Sequence, residues 1–282
     1  MTDNKDIILQ QIANTIVANL GNTTGIGLME GKAGLCLFFY EYARYTGMEY
    51  YEDLANQLLE YEMKHFVHEI ERDTDKYVSE LGVCLSILIN RRYVSDKDDY
   101  LLNKIDNYFI EKKGNFDVNV GCWPVIYMLN RLVNTGVYPN VLNHIKRLLS
   151  MLDEPLKENA YLANNIYYLF HEIYKHLPMG AQMEMPHSFL KEWNVEYHQQ
   201  YNYGDDSENI KWEALVKRHQ YGLCNCLLWE SFCVENFRNV KNTVSIEHLS
   251  LGDCMHNCFY EVKNINNYLA ITGLFIIKEY GK

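Results

Sequence analysis

Gly27-Leu28-Met29-Glu30-Gly31-Lys32-Ala33-Gly34-Leu35-Cys36-Leu37-Phe38-Phe39-Tyr40-Glu41-Tyr42-Ala43 is the stretch that decides the fold. Its glycines, Gly27, Gly31 and Gly34, cluster at the front, and an unbroken apolar run follows, with Arg44 and Gly47 beyond it. Glycine lets the backbone approach a neighbour closely, and the run has the length of a buried helix. The stretch therefore reads as a glycine-rich turn packed at a helix entrance, with the helix running inward through a core. A glycine-rich turn that opens a helix can also cradle phosphate. No strand pattern precedes this one, however, and no Lys-Ser/Thr pair follows its glycines, which argues against a P-loop or a dinucleotide site.

Working outward, the chain has 282 residues, 48% of them hydrophobic, enough to bury a full core in one large domain or two small ones. Five prolines and no low-complexity run argue against a disordered linker. The net charge of -11 disfavours nucleic acid, which needs a basic stripe, and an acidic membrane surface as partners. Its plainest role is solubility. No apolar segment reaches the roughly 20 residues that span a bilayer, and Met1-Thr2-Asp3-Asn4-Lys5-Asp6 carries acids where a signal peptide carries bases. A cytoplasmic protein is expected, so the eight cysteines read as reduced core residues or as metal or thiol chemistry, not as a disulfide framework.

Along the chain, Asp6 to Leu20 places Ile8, Ile12, Ile16 and Leu20 on one row, with Asp6 as expected N-cap and an end before Gly21. The glycine stretch runs to about Tyr45. Tyr50 to Phe66 reads as an outer amphipathic helix, with Leu54, Leu58 and Tyr61 inward and Glu52, Asp53, Glu60 and Glu62 elsewhere. The pattern then repeats. Apolar runs at Val78–Ile89, Gly121–Leu132, Ala160–Tyr174, Gly222–Phe237 and Tyr268–Tyr280 alternate with amphipathic segments at Asp98–Ile110 and Tyr138–Leu152. Pro124 suits a first helical turn. The polar stretch 178–206 remains unassigned. A period of roughly 40 to 60 residues signals a repeat architecture. Helices that are apolar all round need a covering layer, which the amphipathic helices supply. An inner ring of helices within an outer one satisfies both, whereas an open solenoid would expose one face of the inner helices. The expected fold is all-α, an α/α toroid built from Gly-rich helix-pair repeats in a single domain over residues 1–282.

The segment Gly27-Leu28-Met29-Glu30-Gly31-Lys32-Ala33-Gly34-Leu35 resembles the first Gly-rich repeat of the lanthionine synthetase C-like (LanC-like) family. In that family such a turn precedes an inner helix of an α/α toroid. Tyr77 to Tyr108 follows the second repeat in length but keeps one glycine, Gly82. The helical pattern covers most of the chain, while about 20 residues are motif-specific. The resemblance implies thioether ring formation. A zinc ion held by two Cys and one His binds a peptide thiolate, which adds to a dehydrated Ser or Thr. Zinc lowers the thiol pKa, and a three-ligand site leaves one position open for substrate.

The positions that would carry this chemistry are altered. The family's Cys-His-Gly best matches Cys224-Asn225-Cys226, so Asn225 stands for the His. A neutral amide is a poor zinc ligand beside imidazole. The His of the fourth repeat falls at Asn164, within Ala163-Asn164-Asn165. The Trp-Cys-Tyr-Gly repeat has no counterpart; Gly121-Cys122-Trp123-Pro124 reverses the pair in another repeat. No catalytic residue is therefore assigned.

Cys254-Met255-His256-Asn257-Cys258 is a separate candidate for metal, although on a regular helix His256 would point away from Cys254 and Cys258. Buried thiols are the plainer reading, as they are for Cys224, Cys226 and Cys233. A rebuilt zinc site from Cys224, Cys254, His256 and Cys258 is the alternative to no cofactor. His65, His68, His171 and His176 read as solvated or capping groups, and Glu69, Glu71, Asp73 and Asp75 as a solvated loop. The altered ligand positions favour a degenerate protein that binds a ribosomal peptide or its modifying enzyme without catalysis. A zinc-dependent lanthionine cyclase is the second reading. A carbohydrate-active toroid is the third; it would need two acids across a cleft, and the sequence pairs none.

Overall fold

The computed structural model describes residues 4–69, 75–111, 123–135 and 265–280, together with residues 143, 147, 169, 173–177, 229 and 233. Among these the ordered elements are helical, and the only pairing of extended backbone is an isolated bridge between Gly25 and Gly31. The helices are α1 (Asn4–Ala18), α2 (Lys32–Thr46), α3 (Glu49–Glu69), α4 (Asp75–Asn90), α5 (Tyr100–Glu111), α6 (Trp123–Thr135) and α7 (Ile265–Tyr280). Short 3-10 turns at Leu20–Asn22 and Lys97–Asp99 follow α1 and precede α5. The all-α expectation holds for the described residues. Two compact units form: residues Met1–Arg72 with Asp205–Lys282, and residues Asp73–Gly204.

In the first unit α2 is the centre, and α3 and α7 pack on it while α1 packs on α7. Every residue from Ala33 to Ala43 is buried, as a helix apolar all round requires. Its aromatic side chains interlock with α3: Phe39 stacks on Tyr51 at 5.9 Å between ring centroids, and Tyr42 meets Tyr51 edge-on at 4.7 Å. Tyr40 donates to Asn56 Oδ1 at 2.6 Å, and the Cys36 thiol donates to the Ala55 carbonyl. A Cβ on Gly273 of α7 would strike the Phe38 ring, so α7 lies against α2 through that gap. Gly47 ends α2 in the left-handed conformation (φ 71°), its N–H bonded to the Ala43 carbonyl at 2.7 Å.

In the second unit α4 packs on α6 and α5. The Tyr127 ring fills the space left by Gly82, where a Cβ would come within 2.6 Å of it. Gly82 therefore lies inside α4, at a helix contact, and α4 begins seven residues earlier, at Asp75, not behind the glycine. Pro124 occupies the first turn of α6, as expected.

Three assignments from the sequence need correction. Asp6 lies inside α1, which starts at Asn4, and its Oδ1 accepts from the Tyr45 hydroxyl at 2.5 Å instead of capping the helix. Glu62 belongs to the buried face of α3, not to its outer face. Asp75 is buried at the start of α4 and accepts a hydrogen bond from the Tyr108 hydroxyl at 2.8 Å, so it is no part of a solvated loop. The polar stretch 178–206, most of the expected helix at 138–152 and most of the runs at 160–174 and 222–237 lie outside the described residues.

Candidate functional site

The glycine turn is built to close on itself. Gly27 takes φ 95°, a conformation that L side chains rarely adopt. A Cβ on Gly31 would overlap the backbone of Ile26 and Gly27, which no side-chain rotation relieves. With that close approach, the Lys32 N–H bonds to the Gly25 carbonyl at 3.2 Å and the Gly34 N–H to the Gly27 carbonyl at 3.3 Å. These are first-turn donors of α2 that a helix leaves without partners. The turn caps the helix with its own carbonyls, and no side chain caps it from Gly31.

Two other helices hold the turn. From α3, Glu62 Oε2 accepts the Gly27 N–H at 3.2 Å. From α7, Asn267 Nδ2 donates to the Leu28 and Gly31 carbonyls, both at 2.7 Å. Its neighbour Asn266 donates from Nδ2 to the Asn19 carbonyl at 2.8 Å and to Thr23 Oγ1 at 2.9 Å. Gly34 has no room for a side chain: a Cβ there would run into the Leu28 carbonyl and come within 2.9 Å of both Asn267 Nδ2 and the Trp229 ring. Trp229 and Cys233, from the same apolar run as Cys224 and Cys226, are fully buried.

This arrangement rules out a phosphate cradle at the turn. Such a cradle needs backbone N–H groups free for the anion. Here those of Gly27, Lys32 and Gly34 are engaged, and the Glu62 carboxylate already faces the turn. Lys32 lies with Nζ 3.1 Å from the centroid of the Tyr61 ring. Burial lowers its pKa from the usual lysine value, and the Glu62 charge opposes that fall only in part.

The second unit holds a buried ionic cluster. The Arg131 side chain is fully buried and donates from Nε to Asp106 Oδ2 at 3.2 Å. Its two terminal nitrogens reach Asp99 Oδ1 and Oδ2 at 3.3 and 2.7 Å, a bidentate pair. Tyr127 donates to Asp106 Oδ1 at 2.6 Å. Asp99 adopts φ 58°, a left-handed conformation that aspartate tolerates better than most residues. Burial by itself would lower the Arg131 pKa, but the hydrogen bond to Asp99 and the Asp106 charge outweigh it and raise the pKa above the usual arginine value. Asp96 takes the Leu101 and Leu102 N–H groups on its two oxygens at 3.0 and 3.2 Å and so caps α5. Each of these roles is structural.

The metal candidates of the sequence, Cys224, Cys254, His256 and Cys258, lie outside the described residues, as do Asn225 and Asn164. Among the described residues no three of His, Cys, Asp and Glu gather in a set that could hold a metal ion. The described cysteines Cys36, Cys84 and Cys233 are buried. The described residues thus do not supply the donor set of a zinc site, and no step is derived through zinc. No described helix is long and apolar enough to cross a membrane. The sequence reading missed Glu62, Asn266 and Asn267, which hold the turn, and Asp106 with Arg131. An Asn pair directly ahead of the last apolar run was a signal for the first group. A lone Arg inside an apolar run was one for the second, since a buried charge demands a partner.

The family model described as lanthionine synthetase C-like protein matches residues 23–178, which include the glycine turn, α2 to α6 and the whole ionic cluster. No curated protein and no solved structure matches the chain.

Proposed function

The chain belongs to the lanthionine synthetase C-like family, and from that premise we propose that it is a degenerate member, serving a lanthipeptide-type modification system by binding a ribosomal peptide or its modifying enzyme without catalysis. The carrying observation is the pair Asn225 and Asn164, which the resemblance sets against histidines of the family. An amide neither holds zinc as imidazole does nor exchanges a proton near neutral pH. The glycine turn, by contrast, keeps its close packing in full. The reading is therefore of a retained scaffold with altered chemistry. A single toroidal domain over 1–282, with a polar insertion near 178–206, belongs to this proposal. Support for ring closure comes from the packing of α7 on α1 and α2.

The test is elemental analysis of the reduced, purified protein and of Cys224→Ala, together with fluorescence anisotropy on a dehydrated precursor peptide. The expected result is binding of the peptide, no stoichiometric zinc, and no loss of peptide thiol on incubation. About one zinc per chain, lost in Cys224→Ala, overturns the reading. It would restore a thioether cyclase whose site is rebuilt from Cys224, Cys254, His256 and Cys258.

A further inference from the structure

Besides its own burial, the glycine turn is held by a helix more than 230 residues later in the chain. Between α1 and α2 the segment 19–31 is largely open to solvent in its first half. Gly21, Asn22 and Thr24 are exposed, and Leu20, Gly25 and Ile26 are only partly covered. Apolar burial is confined to its second half, where Leu28 and Met29 are buried. Polar clips hold both halves. Asn266 grips its beginning through Asn19 and Thr23, and Asn267 grips its end through Leu28 and Gly31. Both asparagines are buried, at 1% and 0% exposure, and both sit in the first turn of α7.

The carbonyls of Gly25 and Gly27 that cap α2 belong to the same segment. If α7 withdraws, Asn267 leaves, the turn loses its outer hold, and the first N–H groups of α2 lose their acceptors. If the turn opens first, the Asn267 amide is stranded inside apolar surroundings, which costs more than the bond itself contributes. Each state penalises the half-open intermediate. We infer that segment 19–31 and α7 form one two-state latch, with Asn267 as its catch, so that the C-terminal helix controls whether the glycine turn caps α2. Glu62, on α3, is the fixed side of the latch, because its bond to Gly27 needs nothing from α7.

Native-state hydrogen exchange by mass spectrometry on the full chain tests this, comparing wild type with Asn267→Ala. Loss of two hydrogen bonds predicts exchange faster by roughly ten- to a hundredfold. The amides of Lys32 and Gly34 and those of residues 270–277 should speed up by the same factor, with residues 83–88 of α4 unchanged. Three results overturn the inference: acceleration in the turn with α7 untouched, acceleration in α7 with the turn untouched, or equal acceleration in α4. Should Asn267→Ala fail to fold, Thr23→Val removes a single contact of Asn266, and the same joint but smaller acceleration is expected of it. Acceleration at only one of the two segments overturns the latch there as well.

Discussion

Replacing Arg131 by methionine strands a carboxylate, and the size of the penalty follows from where the two partner acids lie. Asp99 keeps 38% of its side chain in water, so its share of the pair is that of a surface ion pair, about 1 kcal/mol or less. Asp106 keeps 7%. Without the guanidinium its charge stays buried, with the Tyr127 hydroxyl still donating but no cation beside it. Removing one partner of a buried pair costs about 3–5 kcal/mol, and most of that belongs to Asp106. Methionine fills much of the arginine stem volume, so cavity formation adds little. The double variant Arg131→Met with Asp106→Asn removes the stranded charge and should recover about 2 kcal/mol of the loss, a coupling expected only of groups in direct contact. Asp99→Asn alone should cost about 1 kcal/mol or less, since asparagine also accepts the left-handed backbone at φ 58°. Urea unfolding followed by circular dichroism and by tryptophan fluorescence, which includes the buried Trp123 on α6, reads all three together with the single variant Asp106→Asn that completes the cycle. The slope with denaturant should stay unchanged while the midpoint falls. A loss below about 1 kcal/mol for Arg131→Met, or a double variant as unstable as the sum of its singles, would refute the assignment of this cluster as a buried charge balance.

Other expectations bear on the first unit. Gly31→Ala must open the turn, because the added Cβ meets backbone, and should cost about 3 kcal/mol or abolish cooperative melting. Gly47→Ala has open space around it and only its positive φ against it, so about 1–2 kcal/mol is expected in the same melt. Glu62→Gln removes the charge that opposes burial at Lys32, so the Lys32 pKa should fall further below the usual lysine value in an NMR titration; a rise contradicts the arrangement. Tyr42 is pushed up to about 12, first by burial and then by Tyr51 and Asp6 beside it. A folded-state pKa above the unfolded one gives stability that is whole below the unfolded value of 10.0 and is lost as pH rises towards about 12. In Tyr42→Phe the fall of the urea midpoint over that alkaline window should be shallower than in wild type.

The helical layers were legible because burial writes itself as periodicity. The run from Ala33 to Ala43 has no polar stripe, and it is the helix that is covered on every side. Of the row Ile8, Ile12, Ile16 and Leu20, the first three mark the buried edge of α1, while Leu20 falls past its end at Ala18, in the 3-10 turn, and is half-buried. Legibility failed where a polar residue is buried for a partner remote in sequence. Glu62 looks like its acidic neighbours on α3 until Gly27, 35 residues earlier, is seen to need an acceptor. Asn267 answers carbonyls that lie 239 and 236 residues before it. Helix periodicity reports which face is wet and carries no information about such bonds. Asp6 shows the opposite error, a capping residue type near a helix start whose side chain is committed to Tyr45 instead. Of the site, the turn and its glycines were readable as a close approach. The donor set proposed from Cys224, Cys254, His256 and Cys258 rested on residue type and spacing alone, which do not fix three-dimensional convergence.

The turn and the ligand positions answer to different constraints, and this is why one can persist without the other. At Gly31 and Gly34 any side chain strikes backbone, so substitution is penalised by folding itself, whatever the protein does. A histidine that holds a metal meets no such penalty when it becomes asparagine, a smaller polar residue that still donates and accepts hydrogen bonds. Once selection for the reaction lapses, folding goes on protecting the glycines and nothing protects the imidazoles. On the proposed reading, an intact glycine turn in a chain that carries Asn225 and Asn164 is the pattern this asymmetry would produce. It follows that the turn is evidence about the scaffold and carries no weight on catalysis in either direction. The question of activity in this chain rests on the donor atoms alone, and a measurement of bound zinc addresses them directly.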